Sequence, residues 1–182
     1  MKQLSAEELN RPNLEQYHQL GKVPVIVILD NVRSGLNVGA IFRTCDAFSI
    51  EGIYLCGISV QPPHAEIMKT ALGATESVSW HYFEKAEFAV DVLKTKGYSI
   101  VAVEQTDESI SLGDANIASF FPMALVFGNE MRGIAPEVLA NCEESIEIPQ
   151  SGIKHSLNVA TSAGIVLWEC YRQFYFRRSS EL

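Results

Sequence analysis

Three short segments concentrate polar side chains that a buried core does not need. The first is GLNVGAIFRT, residues 35–44. Asn37 stands at a helix start, where capping alone would account for it. Arg43 lies on a helix otherwise built of small and apolar residues, and its guanidinium is a rigid fork of donors suited to phosphate. The second segment is LVFGNEMRG, residues 125–133, where an apolar run ends abruptly in Gly128, Asn129 and Glu130. Open α/β sheets bind ligands at the carboxyl ends of their strands. Gly128 permits close backbone approach or a positive φ, and Glu130 stands at that rim. The third segment is IEIPQSGIKHSLNV, residues 146–159. Again a strand runs into a loop, here with Pro149 and Gly152, and a helix follows. A helix start presents free N–H groups and partial positive charge. Ser156 has the type and place of a cap. Asn158 falls inside the first turn, where capping does not explain it. Leu-Asn-Val occurs twice, 121 residues apart, but the flanking residues do not align, so the pair is not a repeat.

The elements that must hold these segments alternate in type. Ser5-Ala-Glu-Glu8 has the form of a capping box and predicts a short helix. VPVIVIL (23–29) is near-continuously apolar and β-branched, as in a strand covered on both faces. In NVGAIFRTCDAF (37–48), Val38, Ile41, Cys45 and Phe48 share one helical face. Strands follow at 52–58, 77–82, 99–105, 123–128 and 145–148. Helices are predicted at 63–74, at 84–97 with Phe88, Val92 and Leu93 as the apolar face, at 134–142, and at about 156–176. Strands alternating with helices define one α/β domain with a largely parallel sheet. In the last helix, Val159, Ala163, Val166, Cys170 and Phe174 form one stripe, and Trp168, Tyr171 and Tyr175 another. A helix apolar over so wide a face packs on two sides, or is buried within the monomer.

Composition narrows the class. The 182 residues suit a single domain with a sizeable core. No apolar run reaches the about 20 residues of a membrane span, and the mixed, acidic N-terminus is not a secretory signal. Cys45, Cys56, Cys142 and Cys170 form no Cys-x-x-Cys and have no His at metal-ligand spacing, so they read as reduced thiols of a cytoplasmic protein without a metal. The net charge of −8 argues against a protein that coats nucleic acid nonspecifically. It leaves room for a local basic patch from Arg33, Arg43, Arg132, Lys154 and His155, with Arg177 and Arg178. There is no Gly-x-Gly-x-x-Gly, no phosphate loop and no Gly-x-Ser-x-Gly elbow.

Taken together, NVGAIFRT, ALVFGNEMRGI and IEIPQSGIKHSLNVATSAG resemble the three motifs of the SpoU (TrmH) family of the SPOUT superfamily, S-adenosylmethionine-dependent RNA 2′-O-ribose methyltransferases. PPHAEIMKTALGA is similar to a further family segment. The likeness spans roughly residues 25–168. It implies a deep trefoil knot over about 123–168, which general topology rules make rare, on a largely parallel sheet with helices on both faces. It implies a homodimer, with the C-terminal and first-motif helices near the interface. It implies a cofactor pocket at Thr106, Gly128, Ile148 and Leu157, largely through backbone groups, and a catalytic set of Asn37, Arg43, Glu130, Ser156 and Asn158. The substrate implied is structured RNA, tRNA ahead of rRNA. Residues 1–22 read as a short extension, too small for the separate RNA-binding domain of many relatives. Gln150 stands where the family often has Met, a change of similar size. Two rival readings are a noncatalytic RNA-binding protein of the same fold and a SPOUT enzyme acting on a base nitrogen.

Overall fold

A computed structural model describes residues 1–5 and 7–178, without the side chains of Arg177 and Arg178. The expected contribution of those two arginines to RNA recognition therefore lies outside the described side chains.

The strands are β1 (Val23–Asp30), β2 (Ile50–Cys56), β3 (Ser79–Phe83), β4 (Ser99–Val103), β5 (Ile110–Ser111), β6 (Met123–Phe127) and β7 (Glu144–Glu147). They form one sheet in the order β3-β2-β1-β6-β4-β7-β5, and every pairing is parallel. The helices are α1 (Leu14–Gln19), α2 (Gly35–Ala47), α3 (Ala65–Ala71), α4 (Ala74–Ser77), α5 (Ala86–Thr95), α6 (Pro136–Leu139) and α7 (Val159–Arg178). A 3-10 turn lies at Ile117–Phe120.

The strand period of two divides β1 between two cores. Val23, Val25, Val27 and Leu29 face α2, α3 and α7; Ile26 and Ile28 face α5 and α6. This double cover explains why β1 reads as an unbroken apolar run. Gly39 permits the α2–α3 contact, because a Cβ there would overlap Thr70 and the Ile67 carbonyl. The four cysteines are free, with Cys45, Cys56 and Cys170 buried. Burial pushes the Cys56 thiol up to about 12.

Local departures from the expected elements have local causes. Ser5 and Glu8 do form the reciprocal capping bonds, yet only a turn follows. Asn10 takes a positive φ of 45°, and Pro12 removes a donor. The first helix starts instead at a second box, Asn13 with Gln16. The helix expected over 63–74 breaks at Leu72, which is left-handed, and resumes as α4. Phe88 is exposed rather than packed, because α5 buries Ala86, Ala89, Val90 and Leu93. Those alanines let the helix sit close to the sheet.

On α7, Val159, Ala163, Val166, Leu167 and Cys170 are buried against the sheet and α2. Trp168 and Tyr175 remain 48% and 37% exposed. Phe48, Trp168, Tyr171 and Tyr175 form a chain of rings with centroids 4.7–5.9 Å apart. None of the described helices is long and apolar enough to cross a membrane.

Candidate functional site

The carboxyl ends of β1, β4, β6 and β7 lie side by side in the sheet, so their loops share one rim. Glu130, in the loop after β6, reaches across to the loop after β1. Its Oε2 accepts the Arg33 N–H at 3.3 Å, and its Oε1 accepts the Ser34 N–H and Asn37 Nδ2 at 3.2 Å each. These donors sit at the N-terminus of α2, where unpaired amides favour an anion. Partial desolvation pushes the Glu130 carboxyl up, but bonds from its own backbone, Arg33, Asn37 and Ser34 outweigh it, leaving it below the usual glutamate value.

Asn37 is not the cap of α2. Ser34 is, accepting the Asn37 N–H at 3.3 Å. That frees the Asn37 amide to bridge. Its Nδ2 donates to Glu130, and its Oδ1 accepts Asn158 Nδ2 at 3.1 Å. Asn158 in turn caps α7: its Oδ1 accepts the N–H of Ala160 at 3.0 Å and of Thr161 at 3.3 Å. The helix begins at Val159 rather than at the expected 156, so Asn158 is the residue before the first turn, not inside it. The two Leu-Asn-Val tripeptides thus meet within one chain, joining two helix starts through a pair of amides.

Beside this cluster lies a cavity of about 470 Å³, bounded by the ends of β4, β6 and β7 and the segment before α7. Gly128, Ile148 and Leu157 line it, as do Glu130, Ser156 and Asn158. A Cβ on Gly128 would overlap the backbone of Gly133 and Ile134, so glycine there sets the width of the loop. Thr106 does not line the cavity; it sits one residue beyond Gln105, which does, and its carbonyl closes a turn with Ser109.

Arg43 stands apart from the cluster. Six residues along α2 from Asn37, it is about 9 Å further along the axis and on a different face. It is exposed, and it lines a second, larger groove with Arg11, Phe48, Leu72, Trp168 and Tyr175. Within one chain, the structure brings Glu130, Ser156 and Asn158 to one cavity, with Asn37 bonded to Glu130 and Asn158 behind it, and leaves Arg43 outside.

Sequence reasoning gave no role to the residues that hold the loops. Glu104 accepts the Ile134 N–H at 3.3 Å, Asp30 accepts the Ala135 N–H at 3.0 Å, and Asn129 Nδ2 donates to the Asn31 carbonyl at 2.8 Å. Asp30 is buried, and desolvation raises its carboxyl despite the bonds from Ala135 and Asn31. The signal that could have found it is an acid at the end of an apolar strand, as in VPVIVILD.

The cavity suits S-adenosylmethionine on its own chemistry. Its volume is in the range of small-molecule sites, Ile146, Ile148 and Leu157 offer apolar contact for a purine, and Glu104 and Glu147 complement a cation. Among the described residues, no group of His, Cys, Asp and Glu could hold a metal ion.

In a parallel α/β domain, a cavity and polar cluster at the strand ends mark the place where a ligand binds. The profile of the SpoU rRNA Methylase family matches residues 24–168, and the chain belongs to that family, whose members are S-adenosylmethionine-dependent RNA methyltransferases. A tRNA (guanosine(18)-2′-O)-methyltransferase of Aquifex aeolicus is 36% identical over 155 residues, covering 82% of this chain and 69% of that protein. The crystal structure of an A. aeolicus TrmH/SpoU tRNA modifying enzyme superposes with a TM-score of 0.79 at 29% identity, covering 91% and 84% of the two chains. An AdoMet-bound rRNA methyltransferase of Sinorhizobium meliloti superposes with a TM-score of 0.76 at 28% identity, over 85% of this chain and 61% of that one.

Proposed function

We propose that the protein transfers a methyl group to a ribose 2′-hydroxyl of RNA, with tRNA favoured over rRNA, in the cytoplasm. The observation that carries the reading is the Glu130–Asn37–Asn158 bridge at the mouth of the cavity. A protein that only bound RNA would have no chemical use for a hydrogen-bonded polar cluster beside a cofactor-sized cavity. S-adenosylmethionine supplies a methyl group already activated on a sulfonium, so positioning is the main task left to the protein. Gly128, Ile148 and Leu157 line its pocket, with Thr106 just outside, and the chain over 123–168 is threaded as a trefoil knot, as is typical of the fold. A tRNA substrate draws support from the A. aeolicus relatives, both tRNA enzymes by name.

Glu130 holds its charge tightly and is a weak proton acceptor. Its role is to orient Asn37 and the start of α2. An arginine side chain does not act as a base in a protein, so the role of Arg43 is to grip the adjacent phosphate and stabilise the forming alkoxide, while the hydroxyl proton leaves to solvent water and the sulfonium S–CH3 bond breaks to a neutral thioether. Ser156 and Asn158 line the approach to the hydroxyl.

Arg43 reaches a site only if a second copy supplies it. We propose a homodimer, packed through the groove that Arg43 shares with Trp168 and Tyr175. Exposed rings on α7 and the separation of Arg43 from Asn37 support this. The test is methyl transfer from labelled cofactor to RNA with nucleotide mapping. Arg43→Ala should abolish transfer and leave cofactor binding nearly intact. Mixing Arg43→Ala with Glu130→Gln should restore about a quarter of the activity, because half the dimers of a two-fold assembly would hold one complete site. Near-normal turnover of Arg43→Ala alone would sink the assignment.

A further inference from the structure

We propose that Arg33 and Arg132 grip the phosphodiesters flanking the target ribose, with the Met131 side chain packing on a base between them. This deepens the reading of the protein as an RNA 2′-O-methyltransferase and rests on it.

The two arginines spring from the two loops that Glu130 joins. The Arg33 N–H binds Glu130 Oε2 at 3.3 Å, and Arg132 lies two residues beyond Glu130. The second loop is held firmly. Asn129 and Gly133 exchange two backbone bonds of 2.9 Å, and Asn129 Oδ1 accepts the N–H groups of Met131 and Arg132 at 3.0 and 3.2 Å. The backbone of 131 and 132 is therefore fixed while the side chains stand in solvent. Met131 lines the cavity and is 89% exposed.

Neither guanidinium has a hydrogen-bond or ion-pair partner among the described residues, in a chain with 22 acidic side chains against 14 basic. Arg172 shows the alternative, since it is paired with Glu169 on α7. Glu130, the acid on the same rim, already has its oxygens occupied by two backbone amides and Asn37. Two open guanidinium groups at the mouth of a site that must admit a polyanion are suited to phosphate. With a net charge of −8, the chain has no general attraction for RNA, so counterion release depends on local cations such as these. Met131 adds what the arginines lack, a polarisable apolar surface for the face of a base.

The test is equilibrium binding of an unmodified tRNA transcript by the full chain with cofactor, followed against salt. Each of Arg33→Ala and Arg132→Ala should weaken binding and lower the slope of log K against log salt by about one. Arg→Lys variants should keep the slope and lose part of the affinity. Met131→Ala should raise Kd severalfold without changing the slope. Cofactor affinity should hold in the arginine variants, whose side chains do not line the cavity. Wild-type slope and Kd in the Arg33→Ala/Arg132→Ala double variant would overturn the clamp, as would wild-type protein that shows no salt-dependent binding. Failure of the parent reading is distinct: the wild type would bind with the expected slopes and form no 2′-O-methyl product.

Discussion

Asn158 holds two positions at once, and a pair of substitutions separates them. Its Oδ1 caps α7 through two N–H groups, and its Nδ2 binds Asn37. Removing the whole amide in Asn158→Ala costs the cap, about 1 kcal/mol, and one neutral hydrogen bond on a half-open surface, at most about 1 kcal/mol more. The cost reaches the core because α7 carries Val159, Ala163, Val166 and Leu167 into it. For a chain of this size, about 1–2 kcal/mol lowers Tm by roughly 2–8 °C. Asn158→Asp behaves differently. Aspartate caps as well as asparagine, and its charge suits the helix start. The cap is kept, so stability should fall by no more than about 1 kcal/mol, the worth of the lost bond to Asn37. Yet the introduced carboxylate has no donor for Asn37 Oδ1 and adds a second negative charge near Glu130. Turning the Asn37 amide to meet it would break the bond to Glu130. Transfer should fall by about 10²–10³, the scale for losing one aligned polar group in an active site. Thermal melts and single-turnover methylation at saturating cofactor read the two effects. Wild-type turnover in Asn158→Asp would refute the claim that the amide bridge serves the chemistry. An unchanged Tm in Asn158→Ala would refute the cap.

Two further outcomes follow. The folded-state value of Glu130 lies below its ordinary value, so what its charge contributes is present above about pH 4.3 and is lost as pH falls through the lower folded value. A carboxyl-carbon NMR titration should put its midpoint below that of an exposed glutamate, and Glu130→Gln should lower kcat evenly between about pH 5 and 8, well above that midpoint, without moving any limb of the profile; a midpoint above the ordinary value would reverse its role to proton acceptor. Gly128→Ala should fold but lose about 1–3 kcal/mol, the usual cost of overpacking, and weaken cofactor binding tenfold or more by calorimetry, because its Cβ would drive the 128–134 loop out of register; wild-type cofactor affinity would show that the loop yields cheaply.

Most of the fold is legible in the sequence because its signals are local. An apolar β-branched run such as VPVIVILD needs cover on both faces, and the sheet provides it with β1 an interior strand between β2 and β6. The differences arise where two local signals compete or where packing decides. Ser5 and Asn13 both begin capping boxes, and only the second has a helix-permitting continuation. Phe88 has the hydrophobicity of a core residue but sits off the face that the alanines of α5 define. Asn158 reads as part of the first turn of α7 because Ser156 is an equally good cap by type. What no local signal carries is the meeting of residues 37, 130 and 158, which lie on the first turn of α2, the loop after β6 and the cap of α7, and are joined only when β1, β6, β4 and β7 pair.

That joining also bears on the acidic balance of the chain. In the described cluster, Glu130 is satisfied by amides rather than by arginine. Amides have no charge to compete for, so the guanidinium groups of Arg33 and Arg132 stay open. Had Glu130 been paired with Arg33 instead, one of the few cations at the rim would have been occupied internally, and a protein of net charge −8 has few others to offer. In the proposed dimer the placement of Arg43 on the far groove follows the same logic, since a cation held away from Glu130 in its own chain would be open to the phosphate of RNA at the partner's site. This ordering predicts that adding an arginine partner to Glu130, for example by Ser34→Arg, would weaken RNA binding although it raises the net charge by one. Tighter binding by that variant would show that total charge, rather than its placement at the rim, governs recognition.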